Sequence, residues 1–217
     1  MKPIELKAPR LRGFGSRVSL GGKVSHYRRK QNIYTEGKPA YTLFYIQQGG
    51  VRLTTGSKPE DSAVTAILGV GDFFGELCLA GYPLRTSTAV ALTSSSIRTI
   101  QKDKMLEILR KKAKVSNAFV AYLLSGVKNY QDHIAHLLTS SAEQRLARVL
   151  LRLTRLDRNG PAAVEIPVLS QHVLAAMVGT TRSRVNLLMN RFRREGLVHY
   201  DGGLKVRPSL RKILKSH

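Results

Sequence analysis

A single cysteine, Cys78, is all the thiol this 217-residue chain contains. That excludes an internal disulfide framework and any all-cysteine zinc or iron–sulfur site within one chain. Cys78 itself reads as a small buried hydrophobe. Tryptophan is absent, and acidic side chains are scarce: 14 Asp and Glu stand against 36 Lys and Arg, for a formal net charge of +22. Such a balance favours a polyanionic partner, nucleic acid first among them. No apolar stretch approaches the ~20 residues of a membrane-spanning helix, so no membrane partner is expected. The N-terminal residues carry many basic side chains but no apolar segment followed by a small-residue cleavage site, and the expected location is the cytoplasm. Neither a nucleophile–base–orienter trio nor a Walker loop nor a metal-ligand spacing is visible, and the six histidines are scattered. Neither an enzyme nor a metal site is expected.

What is present divides the chain in two. Residues 18–100 are rich in glycine turns and short β-prone runs, at 43–46, 51–55, 64–68, 86–92 and 96–100. Gly49-Gly50 separates the first two runs and Gly69-Val70-Gly71-Asp72 follows the third, which suits an antiparallel β-roll or jelly roll. The pattern changes near Asp103, where residues 104–114 alternate charge with Met105, Leu106, Ile108 and Leu109 at helical spacing. Phe119, Leu123, Val127, Tyr130, Ile134 and Leu137 then recur every three or four residues for about three heptads. A stripe of that length suits a seam with a second copy of the same helix, with packing on the β-rich domain as the alternative. Ser141 with Gln144 three residues on is a capping-box pattern, placing a hinge between two helices. Residues 145–156 form an amphipathic helix, and residues 157–161 a turn.

The stretch from Leu169 to Asn190 reads as helix, tight turn, helix. Ser170 can cap the first helix, Gly179 supplies the turn, and Thr180 or Thr181 caps the second. Val185, Leu188 and Met189 would face Val173, Leu174 and Val178. That leaves Arg182, Ser183, Asn186 and Asn190 outward, where Arg can pair with guanine and Asn with adenine in a major groove. Arg184, Arg191, Arg193 and Arg194 suit phosphates. Two short runs about Asp201-Gly202-Gly203 would form a two-stranded wing. Double-stranded DNA is therefore the expected partner.

Gly75-Glu76-Leu77, followed nine residues after the acid by Arg85 and then Thr86, suits a sugar phosphate. A carboxylate can accept from a ribose hydroxyl, backbone amides at a short helix start can meet phosphate oxygens, and a guanidinium can neutralise them. A buried Glu76–Arg85 pair holding the roll together is the structural alternative.

The β-roll, this glycine–glutamate–leucine cassette, the long helix and the terminal winged helix together resemble the cyclic AMP receptor protein and fumarate–nitrate regulator (Crp/Fnr) superfamily. The resemblance implies an α+β chain with a basic segment at 1–17, a cyclic-nucleotide-binding-like β-roll at 18–102, a dimerisation helix at 103–138 and a winged helix-turn-helix at 139–217. It implies a DNA-binding transcription regulator acting as a homodimer on a pseudo-palindromic operator, with RNA polymerase as a further partner. Cyclic AMP or cyclic GMP would be its ligand, with Glu76 at the ribose 2′-hydroxyl, and Gly75, Arg85 and Thr86 around the phosphate. Leu77 belongs to the same cassette. Tyr130 and Gln131 stand where members that bind cyclic AMP carry hydroxyl side chains toward the base. Ser183 stands where many members carry a glutamate that reads cytosine. A ligand-free roll serving as a constitutive scaffold, or a nucleotide-binding module acting through protein contacts, are the alternatives.

Overall fold

Alternation along one strand accounts for much of the N-terminal half. The computed structural model describes residues 21–56, 63–154, 164–166, 169–200 and 203–215. In it β3 (Thr42–Gln48) buries Leu43, Phe44, Tyr45 and Ile46 in succession. Successive side chains of a strand point to opposite faces, so both faces of β3 must be covered. Phe44 and Ile46 join Val51, Phe74, Ala89 and Ile97 in a core between two sheets. Leu43 and Tyr45 join Ile100, Met105, Ile108 and Phe119 in a second core, between sheet and helices.

The first sheet runs in the order β1 (Lys23–Tyr27), β8 (Ser95–Gln101), β3, β6 (Phe73–Phe74). The second runs β2 (Asn32–Tyr34), β7 (Thr88–Ala91), β4 (Val51–Thr55), β5 (Ala63–Leu68). Every pairing is antiparallel. The expected roll is present, with three strands more than the sequence suggested. β1 is an edge strand of polar composition, β2 has three residues and β6 two, so none offers a readable alternation.

Helix α1 (Lys102–Lys111) lays Met105 and Ile108 on the roll and ends at Lys112, whose extended φ of −126° breaks the spiral before α2 (Ala113–Thr139). The apolar stripe of α2 divides by function. Val115 and Phe119 are buried against the roll, Phe119 being only 3% exposed, so the expectation that Phe119 belongs to an outer seam is corrected: Phe73 meets its ring edge-on at 5.4 Å. Beyond it Val120, Leu123, Leu124, Val127, Tyr130, Ile134, Leu137 and Leu138 are all exposed.

Ser140 separates α2 from α3 (Ala142–Leu153), which starts in a complete capping box: Gln144 N–H donates to Ser141 Oγ at 3.2 Å, and Ser141 N–H donates to Gln144 Oε1 at 3.2 Å. Such a cap stabilises a helix start by about 1 kcal/mol. α3 then buries Leu146, Leu150 and Leu153 in the C-terminal core, with Leu174, Val178, Val185, Leu188 and Phe192. Ile67 and Leu92 of the roll join this same buried cluster, and α4 (Gln171–Val178) contacts β5. The C-terminal sheet has three strands, β10 (Val198–Tyr200), β11 (Leu204–Val206) and β9 (Val164–Ile166), in that order. The expected two-stranded wing is present as β10 and β11, and a strand the sequence did not suggest joins it: β9 lies before the helix pair and pairs with β11 only after the chain returns. The basic segment at 1–17, the turn at 157–161 and the tip residues Asp201 and Gly202 lie outside the described residues.

Candidate functional site

Two places gather the residues singled out above. The first is a pocket of about 230 Å³ in the roll, lined among others by Tyr34, Gly75, Glu76, Arg85, Thr86 and Tyr130. A short 3-10 helix (Glu76–Ala80) forms its floor, entered through Gly75 at φ 73°. Only glycine fits there without strain, and a Cβ would also come within 2.6 Å of Arg85 Nη1. The Leu77 side chain is exposed at the pocket wall, and Thr55 and Thr65 add hydroxyls from β4 and β5.

Arg85 is 7% exposed. Its Nη1 donates to the carbonyls of Thr42 at 2.7 Å and Gly75 at 3.4 Å, and its Nη2 donates to Thr42 Oγ1 at 2.8 Å. The guanidinium carbon lies 4.5 Å from the Tyr34 ring centre and 5.2 Å from that of Phe44. Nε, although buried, has no hydrogen-bond partner among the described residues.

Glu76 forms no ion pair with Arg85, so the alternative of a structural Glu76–Arg85 pair is corrected. The guanidinium is held down on β3 instead. Burial pushes the Glu76 carboxyl above its ordinary range, offset in part by its own backbone N–H. An acid whose folded pKa exceeds its unfolded one holds its proton longer in the folded state, so stability falls as pH rises from the ordinary carboxylate range through the raised value, and stays lower at neutral pH. Glu76→Gln is therefore expected to raise the melting temperature of nucleotide-free protein at about pH 7, and to change it far less at about pH 4. Equal shifts at the two pH values, or none, would show that ionisation of Glu76 is not what strains the pocket.

Tyr130 reaches the pocket from α2, whereas Gln131 is exposed and does not line it. A residue that sequence reasoning missed joins the two elements. The Tyr122 hydroxyl accepts from Phe73 N–H at 2.8 Å and donates to the Phe73 carbonyl at 3.1 Å, fixing the long helix two residues before Gly75. A more open concavity of about 910 Å³, beside His26, Arg28 and Lys30, shares no residue with this pocket. Among the described residues no group of three or more His, Cys, Asp or Glu could hold a metal ion, and no helix is long and apolar enough to cross a membrane.

The second place is the helix pair α4 and α5 (Arg182–Arg194). Ser170 Oγ accepts from Val173 N–H at 3.3 Å, and Thr181 Oγ1 from Arg184 N–H at 3.2 Å; Gly179, at φ 66°, makes the turn and Thr180 follows it. Arg145 fastens this turn to the hinge. Its Nε donates to the Val178 carbonyl at 2.7 Å, Nη2 to the Gly179 carbonyl at 3.2 Å and Nη1 to the Ser140 carbonyl at 2.6 Å. On α5, Val185, Leu188, Met189 and Phe192 are buried, while Arg182, Ser183, Arg184, Asn186, Asn190, Arg193 and Arg194 are exposed. Arg191 is also exposed but pairs with Glu143 at 3.0 Å and Glu195 at 2.8 Å. Leu187, which sequence reasoning assigned to neither face, is 55% exposed among them.

Comparison with known proteins agrees with both halves. Residues 24–112 match the cyclic nucleotide-binding domain family, and residues 144–213 the Crp-like helix-turn-helix domain family. The chain is 30% identical over 180 residues to the transcriptional regulator LdrP of Thermus thermophilus, covering 81% of this chain and 87% of that one. It is 27% identical over 187 residues to the cyclic AMP receptor protein of the same organism, covering 83% of each. The solved structure of FixK2 from Bradyrhizobium japonicum shares the fold at TM-score 0.76 and 21% identity, over 90% of this chain and 96% of that one.

Proposed function

Since the chain belongs to the Crp/Fnr superfamily and is a transcription regulator with a helix-turn-helix DNA-binding domain, we propose that it acts in the cytoplasm as a homodimer on a pseudo-palindromic operator, and that a cyclic nucleotide in the roll sets the relation of its two recognition helices. α5 enters the major groove, with its partner copy one helical turn, ~34 Å, away. Arg182, Ser183, Asn186 and Asn190 face base edges; Ser170, Thr180, Thr181, Arg184, Arg191 and Arg193 face the backbone. RNA polymerase is the further partner. The observation that carries the DNA reading is the division of α5 into a buried apolar face and an outward face rich in arginine and amide side chains.

In the roll, Glu76 accepts from a ribose hydroxyl while Arg85, Thr86 and the Gly75 backbone meet the cyclic phosphate. Leu77 lines the mouth, and Tyr130 approaches the base from α2; Gln131, which the sequence paired with it, lies outside the pocket and takes no part. What supports this is a half-buried carboxylate and a buried guanidinium that line one pocket without pairing with each other, neither forming an ion pair among the described residues. A ligand regulates only by binding one state better than another, and the coupling is reciprocal, typically ~1 to 3 kcal/mol. The second reading, a ligand-free roll, is favoured by the way Arg85 is already occupied by Thr42, Tyr34 and Phe44.

The test is selection of operators from random duplexes, followed by titration at several salt concentrations with and without cyclic AMP or cyclic GMP. Arg182→Ala should lose ~1 to 3 kcal/mol on the operator and relax preference at one base pair, and Arg193→Ala should weaken all sequences alike. Equal losses on operator and random DNA for Arg182→Ala would remove it from base reading, and unchanged affinity with either nucleotide would favour the ligand-free roll.

A further inference from the structure

The outward face of α5 is not uniformly polar. With about 100° between successive residues of an α-helix, the buried residues Val185, Leu188, Met189 and Phe192 define one side. Ser183, Leu187, Asn190 and Arg194 then fall within about 30° of the line opposite it. Leu187 is thus nearer the centre of the exposed face than either Arg182 or Asn186. Isolated exposed leucines are ordinary on protein surfaces. This one stands in the middle of the face that would enter a groove, one turn from Ser183, Arg184, Asn190 and Arg191.

The neighbouring amide has a fixed polarity. Asn186 Oδ1 accepts from Gln171 Nε2 at 3.0 Å and from Asn190 Nδ2 at 3.4 Å. Its acceptor capacity is taken up within the protein, and its own amide nitrogen is left to donate outward. Bidentate pairing with adenine needs an asparagine that both accepts and donates; this arrangement offers only the donor. In the major groove guanine presents acceptors alone, whereas thymine presents an acceptor, O4, beside a methyl group. A donor adjacent in sequence to an exposed apolar side chain matches thymine.

Resting on the DNA-reading role proposed above, we infer that Asn186 and Leu187 together read a thymine, the amide nitrogen donating to O4 and the leucine packing on the 5-methyl group. Gln171, from α4, is a positioning residue that holds the Asn186 amide in the donating orientation. This replaces the adenine pairing that residue type alone suggested for Asn186.

The experiment uses the full chain. Operators are first selected from random duplexes, and each thymine of the selected half-site is then replaced by deoxyuridine, which lacks only the methyl group. Affinities are measured by fluorescence anisotropy for the unmodified protein and for Leu187→Ala, whose melting temperature serves as the check on folding. At one thymine per half-site the unmodified protein should lose about fourfold on loss of the methyl. Leu187→Ala should show that loss already on thymine and no further loss on uracil. Gln171→Ala, which frees Asn186 Oδ1, should weaken the preference for thymine over adenine at that position. Indifference of the unmodified protein to every uracil, or equal sensitivity of Leu187→Ala and the unmodified protein, overturns the inference while leaving DNA reading intact. A pool in which nothing is enriched overturns both.

Discussion

Glutamate at both Leu123 and Val127 should turn the protein into a monomer at micromolar concentration and weaken operator binding on the order of a hundredfold or more. Val120, Val127 and Ile134 recur at seven-residue spacing, with Leu123, Tyr130 and Leu137 three residues after each, and all six are exposed in the single chain. β-Branched residues at the first of these positions, with leucine at two of the three second positions, favour a parallel two-stranded coil. Burying each such side chain contributes about 1.5 to 3 kcal/mol, and the two-fold repeats every contact. Glutamates placed there would be desolvated in pairs. The fold of each chain should survive, because Leu123 and Val127 are 37% and 54% exposed and neither belongs to the cluster that packs α2 on the roll. Sedimentation and circular dichroism check the two halves of this expectation. A double variant that stays dimeric, or an unmodified protein that is monomeric, would show that some other surface, or none, joins the subunits.

The exposed apolar face of α2 was only partly legible in the sequence, and the reason is geometric. Periodicity reveals that a helix has an apolar side but not what covers it. Phe119 and Leu123 belong to one stripe in the sequence, yet Phe119 is enclosed by Phe73 and Leu123 faces outward. Features that depend on a few neighbouring residues were readable: the capping box of Ser141 and Gln144, the caps at Ser170 and Thr181, and the turn at Gly179. Features that depend on distant pairing were not. β1 is polar and takes its register from β8, β9 finds β11 across the whole helix pair, and the Tyr122 hydroxyl meets a backbone nearly fifty residues away.

The pocket in the roll shows the same limit in a sharper form. The spacing of Glu76 and Arg85 suggested two groups that could pair, but Thr42, in the β3 strand and far off in sequence, takes the guanidinium instead. At Leu187 the obstacle was different. An apolar residue between Asn186 and Leu188 is readily taken for core, and only the burial of its neighbours shows which leucine faces out.

Arg85→Leu should lower cyclic-nucleotide affinity at least about 30-fold, the equivalent of the ~2 to 5 kcal/mol that follows from removing one member of a buried charged pair. Leucine cannot neutralise a phosphate, and it also removes the only cation lining the pocket among the described residues. Two controls separate charge from architecture. Thr42→Val deletes the hydroxyl that accepts from Nη2 but leaves the guanidinium and the Thr42 carbonyl bond in place, so it should weaken binding far less. Arg85→Lys keeps the charge as a point cation without the fork that meets a phosphate in two bonds, and should fall between the two. Calorimetric titration with cyclic AMP and cyclic GMP measures the affinities, and thermal melts give an independent reading. A ligand at a hundred times its dissociation constant stabilises the folded state by about 2.7 kcal/mol, a shift the unmodified protein should show and Arg85→Leu should lack at the same nucleotide concentration. Undiminished binding by Arg85→Leu would make Arg85 a clasp between Thr42 and the Tyr34–Phe44 stack with no part in recognition. No heat and no thermal shift in the unmodified protein would leave the roll a scaffold and Glu76 a half-buried acid without a ligand.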